Sequence, residues 1–487
     1  MGRDLVLTFD VGTTAIKTVV WDAAVVPLAV HRREYALATD GHRIEADPRL
    51  YVDGLVAGAH SVLDGIDAGR VAAVCLTTQG ETLVPVDRRG EPLGPAIVWL
   101  DSRAGREADL LRTQLPGEEF HLRTGLPGLD ATVPLAKAMH LRASHPDVPG
   151  GPLLLLLEDF LVHWLTGRLV GNRSLHTSTG WLEIATGGYW TQALDAAGLT
   201  TANLPELVDS GEPLGRLLPA AAEALGLDTS VLVVAGAMDQ AAGALGAGLS
   251  EPGIAGVSFG TALVVTAPVE PGFRDPARRV TVYRPAVAGP SLAVLFEPTS
   301  GALLRWLRDL LSADGRSALG YARLDALAGA VPPGSDGVVA LPSFEGGADG
   351  GGRGAFLGLG LHSGRGHLAR SLLEATAFAL ADLLDSLAAQ GVPVTGLRSS
   401  GGGSASRLWQ SIAADACGLP VTPLPFAEAA SAGAALLACW GAGLLGYGED
   451  PRGLPEITPI LPSGDGRYLA PLARYRAART ALEPFWA

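Results

Sequence analysis

Short apolar runs that stop at a glycine or an acid alternate along the chain with longer stretches of helical spacing. Leu5-Val-Leu-Thr-Phe-Asp10 is rich in β-formers and stops at Gly12-Thr13-Thr14, and Ala15 to Asp22 is β-branched again. This pattern predicts a hairpin. Val71–Thr78 and Leu83–Asp87 predict two further strands, the second closed by the turn Arg88-Arg89-Gly90. Helical spacing runs through Pro48–Leu63, Arg103–Leu115 and Val133–Ser144. Leu153–Leu165 reads as an apolar helix, with another helical stretch at Arg216–Leu225. The apolar run Val231–Ala235 predicts a strand ending in Gly236-Ala237-Met238-Asp239, and Gln240–Gly248 a helix of small residues.

The pattern then repeats. Gly256-Val-Ser-Phe-Gly-Thr-Ala262 followed by Leu263-Val-Val-Thr266 restates the opening strand, Gly-Thr turn and strand. Its place near the midpoint of the chain points to an internal duplication. Gly246-Ala-Gly-Leu-Ser-Glu-Pro-Gly253 breaks the pattern, which puts a domain boundary near residue 248 and gives domains 1–248 and 249–487. In the second half a helix is predicted over His367–Gln390. A strand over Val392–Leu397, the loop Ser400-Gly401-Gly402-Gly403 and a helix over Ala405–Cys417 follow it. The Gly-rich stretch Glu345–Gly354 reads either as surface loop or as the edge of an active site.

Composition narrows the class. The chain has 487 residues, is 48% hydrophobic and 18% charged, and carries a net charge of −14. It can bury large cores, and nothing in it suggests nucleic acid or an anionic membrane as a partner. The arginine pairs 32–33, 88–89 and 278–279 read as solvated surface. Three scattered cysteines make neither a disulfide framework nor a zinc site, and Cys75 reads as a buried, inert thiol. The start MGRDLVLTFD lacks the apolar core of a secretory signal, so a cytoplasmic location is expected. Ala429–Tyr447 has no charge, but its alanines, glycines and serines favour a buried helix over a spanning one. Only two of the 36 basic residues are lysines, Lys17 and Lys137.

Three glycine loops follow predicted strands: Gly12-Thr13-Thr14, Gly260-Thr261 and Gly401-Gly402-Gly403. Glycine lets backbone N–H groups approach phosphate oxygens, although each loop alone is equally a plain turn. There is no GxxxxGK[ST] motif, and no properly spaced GxGxxG. Asp10 and Asp239 end apolar runs, where a carboxylate is costly unless it caps a turn or does chemistry. Gln79-Gly80-Glu81 closes another strand, with Trp99, Asp101 and Arg103 shortly after. Those groups suit hydroxyl binding, or are ordinary turn polarity.

At these residues the chain resembles the FGGY carbohydrate kinases. FDVGTTAIK is similar to the family's first phosphate loop, GAMDQAAGALGAG to its catalytic segment and VSFGTA to its second phosphate loop. Gly354–Phe378 resembles the C-terminal signature, SSGGGSASRLWQSIAADACGLPV the adenosine segment and EAASAGAALLA the closing helix. The resemblance implies an α/β, two-domain actin-like ATPase (ribonuclease H-like) fold, duplicated about a central cleft that holds ATP and a sugar. It implies Asp239 as general base, and Asp10 with Asp239 at Mg²⁺. Gly12, Thr13, Thr14, Lys17, Gly260 and Thr261 would meet the phosphates, and Gly402, Gly403 and Ser406 the adenosine side. Gln79, Glu81, Asp101, Asp239 and Gln240 would read the substrate. Lys137 falls where relatives carry a lysine near the sugar domain, or plays a surface or helix role.

Glycerol kinases resemble Gln-Arg-Glu at positions 79–81, and xylulokinases Gln-Met-His; this chain has Gly80. A missing side chain there should enlarge the pocket, which favours a ketopentose such as xylulose over a polyol such as glycerol or erythritol. Phe344–Arg353, where many pentulose kinases resemble Gly-Glu-Arg-x-Pro, is mostly glycine here. The alternatives from other classes are an actin-like scaffold ATPase and a catalytically inactive sugar-binding protein. A homodimer is possible.

Overall fold

Leu5–Val11 and Ala15–Asp22 form the predicted hairpin, and Asp10 lies opposite Lys17 across it. Pro27–Glu34 extends the sheet on one side. On the other side Val71–Thr78 runs parallel to Leu5–Val11, and Leu232–Met238 runs parallel to Val71–Thr78. Pro213–Arg216 closes that edge antiparallel. Three neighbouring parallel strands therefore end together, at Val11, Thr78 and Met238. In open α/β sheets this carboxyl edge is where ligands bind.

The structure is a computed structural model that describes residues 2–312, 320–342, 353–454 and 457–486. The Gly-rich stretch 345–354 lies outside the described residues except for Arg353 and Gly354, as does the 344–353 signature except for Arg353. Two compact units are present. The first comprises Met1–Ser250, Glu270–Leu292 and Ala429–Gly453, and the second Glu251–Val269, Ala293–Glu428 and Leu454–Ala487. The chain thus leaves the first unit close to residue 248 but returns to it twice.

The core of the first unit forms because alternate residues of the central strand, Leu5, Leu7, Phe9 and Val11, are fully buried with Tyr51, Leu55 and Val62 of the helix Pro48–Leu63. Asp47 caps that helix through the Arg49 N–H at 2.9 Å, and Pro48 occupies its first turn, where no N–H is needed. The second unit restates the plan. Ile254–Phe259 pairs antiparallel with Leu263–Val269 and parallel with Gly396–Ser400, which in turn runs parallel to Val421–Pro423. Ser291–Glu297 lies beside Leu263–Val269.

Three predicted elements differ. Leu153–Leu165 is not one helix: Leu153–Leu156 is a strand paired with Leu83–Val86, and the helix is Leu157–Thr166. Buried leucines on both faces carry no period, so strand and helix read alike there. Arg216 ends a strand instead of starting a helix, because the helix begins at Pro219. The strand expected at Val392–Leu397 lies at Gly396–Ser400, after Pro393, whose ring lacks an N–H for a ladder.

The uncharged stretch from Ala429 forms the buried helix Ala429–Gly441. No described helix is long and apolar enough to cross a membrane. Thr8 Oγ1 meets Ser431 Oγ at 2.6 Å and accepts from Trp21 Nε1 at 2.8 Å, which ties this helix to the central strand. It also presses on the helix Asp239–Gly246. A Cβ at Gly433 would lie 1.9 Å from Ala242 O, and one at Gly246 would lie 1.8 Å from Ala429 O. Only glycine allows that approach. Gly433→Ala should therefore lower the unfolding free energy by about 1–3 kcal/mol. Denaturant melts of the two proteins check this, and an unchanged midpoint would mean that the helices separate at no cost.

Candidate active site

The first unit gathers the polar groups of its three strand ends. Asp10 is 7% exposed and accepts from Lys17 Nζ at 3.3 Å. Asp239 follows Met238 directly and accepts from the Gln240 N–H at 2.7 Å. Burial first, then the charge of Asp10, pushes the Asp239 carboxyl up to about 7, against the opposing pull of the Gln240 N–H and of Lys17. Two carboxylates and one ammonium thus share one strand edge.

The hairpin turn beside them is held from three sides. The Gly12 N–H donates to Ala15 O at 3.1 Å, and Tyr35 donates its hydroxyl proton to Gly12 O. Trp99 Nε1 donates to Thr13 Oγ1 at 2.8 Å. Thr14 is exposed at the tip. Such a turn presents N–H and hydroxyl groups without room for collapse, which suits an anion.

Gln79 is 3% exposed, and neither its Oε1 nor its Nε2 makes a well-formed hydrogen bond among the described residues. A buried amide left this way is costly unless a ligand completes it. Glu81 has φ 65°, left-handed backbone that is rare outside glycine and clusters at functional sites. Burial pushes the Glu81 carboxyl up, and the Asp130 and Asp239 charges add to this while Lys137 opposes it. Lys137 is fully buried, with Nζ donating to Val98 O at 3.0 Å and Trp99 O at 2.9 Å. Its burial pushes the ammonium pKa down, with Glu81 the main opposing charge. A surface role for Lys137 is excluded: its ammonium lies inside the fold, held by two carbonyls.

Two expectations change. Asp101 is fully buried and both its oxygens are taken by protein donors: the Ile44 N–H at 2.7 Å, the Arg103 N–H at 3.0 Å and the Arg103 guanidinium at 2.6–3.0 Å. It holds Arg103, which also reaches Glu45 at 2.6 Å, and has no oxygen left to read a substrate. Nor does Gly80 open space. A Cβ there would meet Ser178 Oγ at 3.1 Å and Met238 Sδ at 3.4 Å. A side chain at this position would press on both neighbours.

Tyr283 was not found by sequence reasoning. Burial raises its phenol well above the usual range, and the Glu81 and Asp239 charges push the same way. It follows Asp239 by more than forty residues and carries no local motif. Trp99 and Lys137, by contrast, stood beside recognisable residues.

The second unit carries its own glycine loops. The Gly301 N–H donates to Gly260 O at 2.8 Å and the Ser300 N–H to Thr261 O at 2.9 Å, while Thr261 is exposed. Gly401, at φ 80°, packs on Phe259 and Gly260. Gly403 is pressed against Trp409 and Phe259, whereas a Cβ at Gly402 meets nothing within 4 Å. Gly402 is therefore the open position of that loop. Ser406 caps the helix Arg407–Cys417 through the Trp409 N–H at 3.1 Å.

Each unit has the hairpin-plus-parallel sheet and Gly-Thr turn of an actin-like ATPase. The model for the FGGY family of carbohydrate kinases, N-terminal domain, matches residues 5–246, and that for the C-terminal domain matches residues 256–442. The chain belongs to this family and is a phosphotransferase that acts on a sugar or polyol, with ATP use implied by the family. It is 32% identical to a glycerol kinase of Rhodospirillum centenum, with 91% of each chain covered. It is 28% identical to a xylulose kinase of Escherichia coli, over 98% of this chain and 96% of that one. The crystal structure of xylulose kinase from Rhodospirillum rubrum superposes with TM-score 0.83 at 29% identity, covering 99% of both chains.

The raised carboxyl of Asp239 has a consequence for stability. An unfolded aspartate titrates at about 3.9. The folded chain therefore holds the proton more tightly, and stability falls as pH rises from the unfolded value through about 7. Asparagine cannot ionise. The Tm gain of Asp239→Asn over the parent should be larger at pH 8 than at pH 4. Equal gains at both pH values would place Asp239 in a solvated setting.

Proposed function

We propose that the chain transfers the γ-phosphoryl group of ATP to a terminal hydroxyl of a small linear polyol, glycerol or a four-carbon homologue. The desolvated Asp239 carboxylate carries this reading. A base with pKa near 7 takes a hydroxyl proton at neutral pH with little mismatch. Asp239 Oδ accepts the proton as the substrate oxygen attacks phosphorus. Lys17 and the Gly12–Thr14 turn are assigned to phosphate binding, and Gly260, Thr261 and Gly402 to nucleotide binding.

Asp10 and Asp239 fit Mg²⁺, which commonly takes one or two carboxylates together with phosphates. When bound, Mg²⁺ supplies charge neutralisation at the phosphates. Gln79, Glu81 and Gln240 orient the hydroxyls. Tyr283 and Trp99 line the same site and limit water.

A Cβ at Gly80 would press on Ser178 and Met238, so the glycine adds little room for a ketopentose. Glu81 is the residue shared with the Gln-Arg-Glu pattern, which supports a polyol. A ketopentose such as xylulose is the second reading, supported by the likeness to the Rhodospirillum rubrum xylulose kinase.

An ATP-consumption screen over glycerol, erythritol, xylulose, ribulose and gluconate tests the choice. The highest kcat/KM is expected with a three- or four-carbon polyol. A tenfold preference for a ketopentose would replace the first reading with the second. Asp239→Asn should lower kcat by about 10²–10⁴-fold with acceptor binding retained in calorimetry. Near-normal turnover would remove the base assignment. Glu81→Gln should raise the acceptor KM more than it lowers kcat. An unchanged KM would take Glu81 out of the pocket.

A further inference from the structure

The first unit contains a second pocket of about 360 Å³, built from a short helical turn at Arg173, the Asp209–Ser210 corner and the 271–291 segment. Its charged lining groups are three arginines, Arg173, Arg274 and Arg284, against a single acid, Asp209. That excess of positive charge stands out in a chain of net charge −14.

Each guanidinium is only partly committed. Arg284 Nη1 donates to Ile184 O at 2.7 Å, and its Nε and Nη2 make no hydrogen bond among the described residues. Arg274 donates to Leu122 O at 2.9 Å and Phe273 O at 2.6 Å, leaving Nη2. Arg173 Nη1 meets Asp209 at 2.8 Å. Burial pushes the pKa of both Arg274 and Arg284 down, the mark of cations held away from water with too little counter-charge.

Ser174 supplies the independent observation. It lines the pocket, is 2% exposed, and its Oγ has no hydrogen-bond partner among the described residues. A buried hydroxyl of this kind calls for an acceptor.

We propose that this pocket binds a phosphate monoester of a small hydroxylated molecule. Guanidinium forks match phosphate oxygens in charge and geometry, and the Ser174 and Ser210 hydroxyls add donors. The volume suits a small metabolite, not a polymer. Arg284 directly follows Tyr283, and successive residues of an extended segment point to opposite sides. Asp10, Glu81 and Asp239 are absent from the pocket's lining, which sets it apart from the acids of the active site. This assignment does not rest on the choice of kinase substrate.

Calorimetry on the full chain with inorganic phosphate, glycerol 3-phosphate and ribose 5-phosphate tests it, with glycerol and ribose as neutral controls. Both esters should bind more tightly than inorganic phosphate. Arg284→Gln should weaken ester binding about ten- to a hundredfold. Because Arg284 also holds Ile184 O, Arg274→Gln and Ser174→Ala are measured beside it, and each should weaken the same binding. The Gly12–Thr14 turn is intact in all three variants, so binding there would survive them. Ester affinity unchanged in the three variants, or no ester binding at millimolar concentration, would overturn the proposal. Inorganic phosphate binding as tightly as both esters would overturn its ester part.

Discussion

The candidate active site of the first unit depends on three parallel strands that end side by side. Leu5–Val11, Val71–Thr78 and Leu232–Met238 are locked by backbone ladders, so Asp10, Gln79 and Asp239 meet at one edge whatever their own preferences. The electrostatic cost of that meeting falls on Asp239. Desolvation and the neighbouring Asp10 hold its proton, while Lys17, opposite Asp10 in the hairpin register, limits the cost. A carboxylate in water would have no reason to sit at about 7. The ladder places it there, and the ladder is held in turn by the packing of the helix Ala429–Gly441 on the helix that begins at Asp239.

The same logic extends outward. Glu81 is held in left-handed backbone, and Lys137 is buried with two carbonyl partners, so an acid and a base face each other where neither ion is comfortable. The charge of each opposes part of the shift that burial imposes on the other. Asp101 shows the contrasting case: a carboxylate saturated by Arg103 and an N–H group anchors the framework and is closed to substrate. The difference between a reading group and a holding group lies in the hydrogen bonds left over, not in residue type.

Duplication explains why two glycine hairpins occur. Both units place a Gly-Thr turn between the first two strands of a like-ordered sheet. They are not equivalent in chemistry, since only the first carries an acid and a lysine across the hairpin. The arginine-lined pocket takes Arg274 and Arg284 from the segment after the second hairpin that returns to the first unit, and Arg173 from an earlier part of that unit. One insertion thus supplies Tyr283 to one side and Arg284 to the other.

Much of this was legible in the residues. Strand–glycine–strand patterning identified both hairpins, the ends of the apolar runs marked Asp10 and Asp239, and the alanine-rich stretch at 429 was correctly a buried helix. Those signals are local, set by backbone preference and by the cost of ending an apolar run in a charge. Tertiary structure alone decided the rest. It made Leu153–Leu156 a strand, because a run buried on both faces has no period until a partner strand selects one. It turned Gly80 from an opening into a filled position, through Ser178 and Met238 from distant parts of the chain. It withdrew Asp101 and brought in Tyr283, since which acids keep free oxygens, and which phenols feel their charge, depends on neighbours that the chain order does not name.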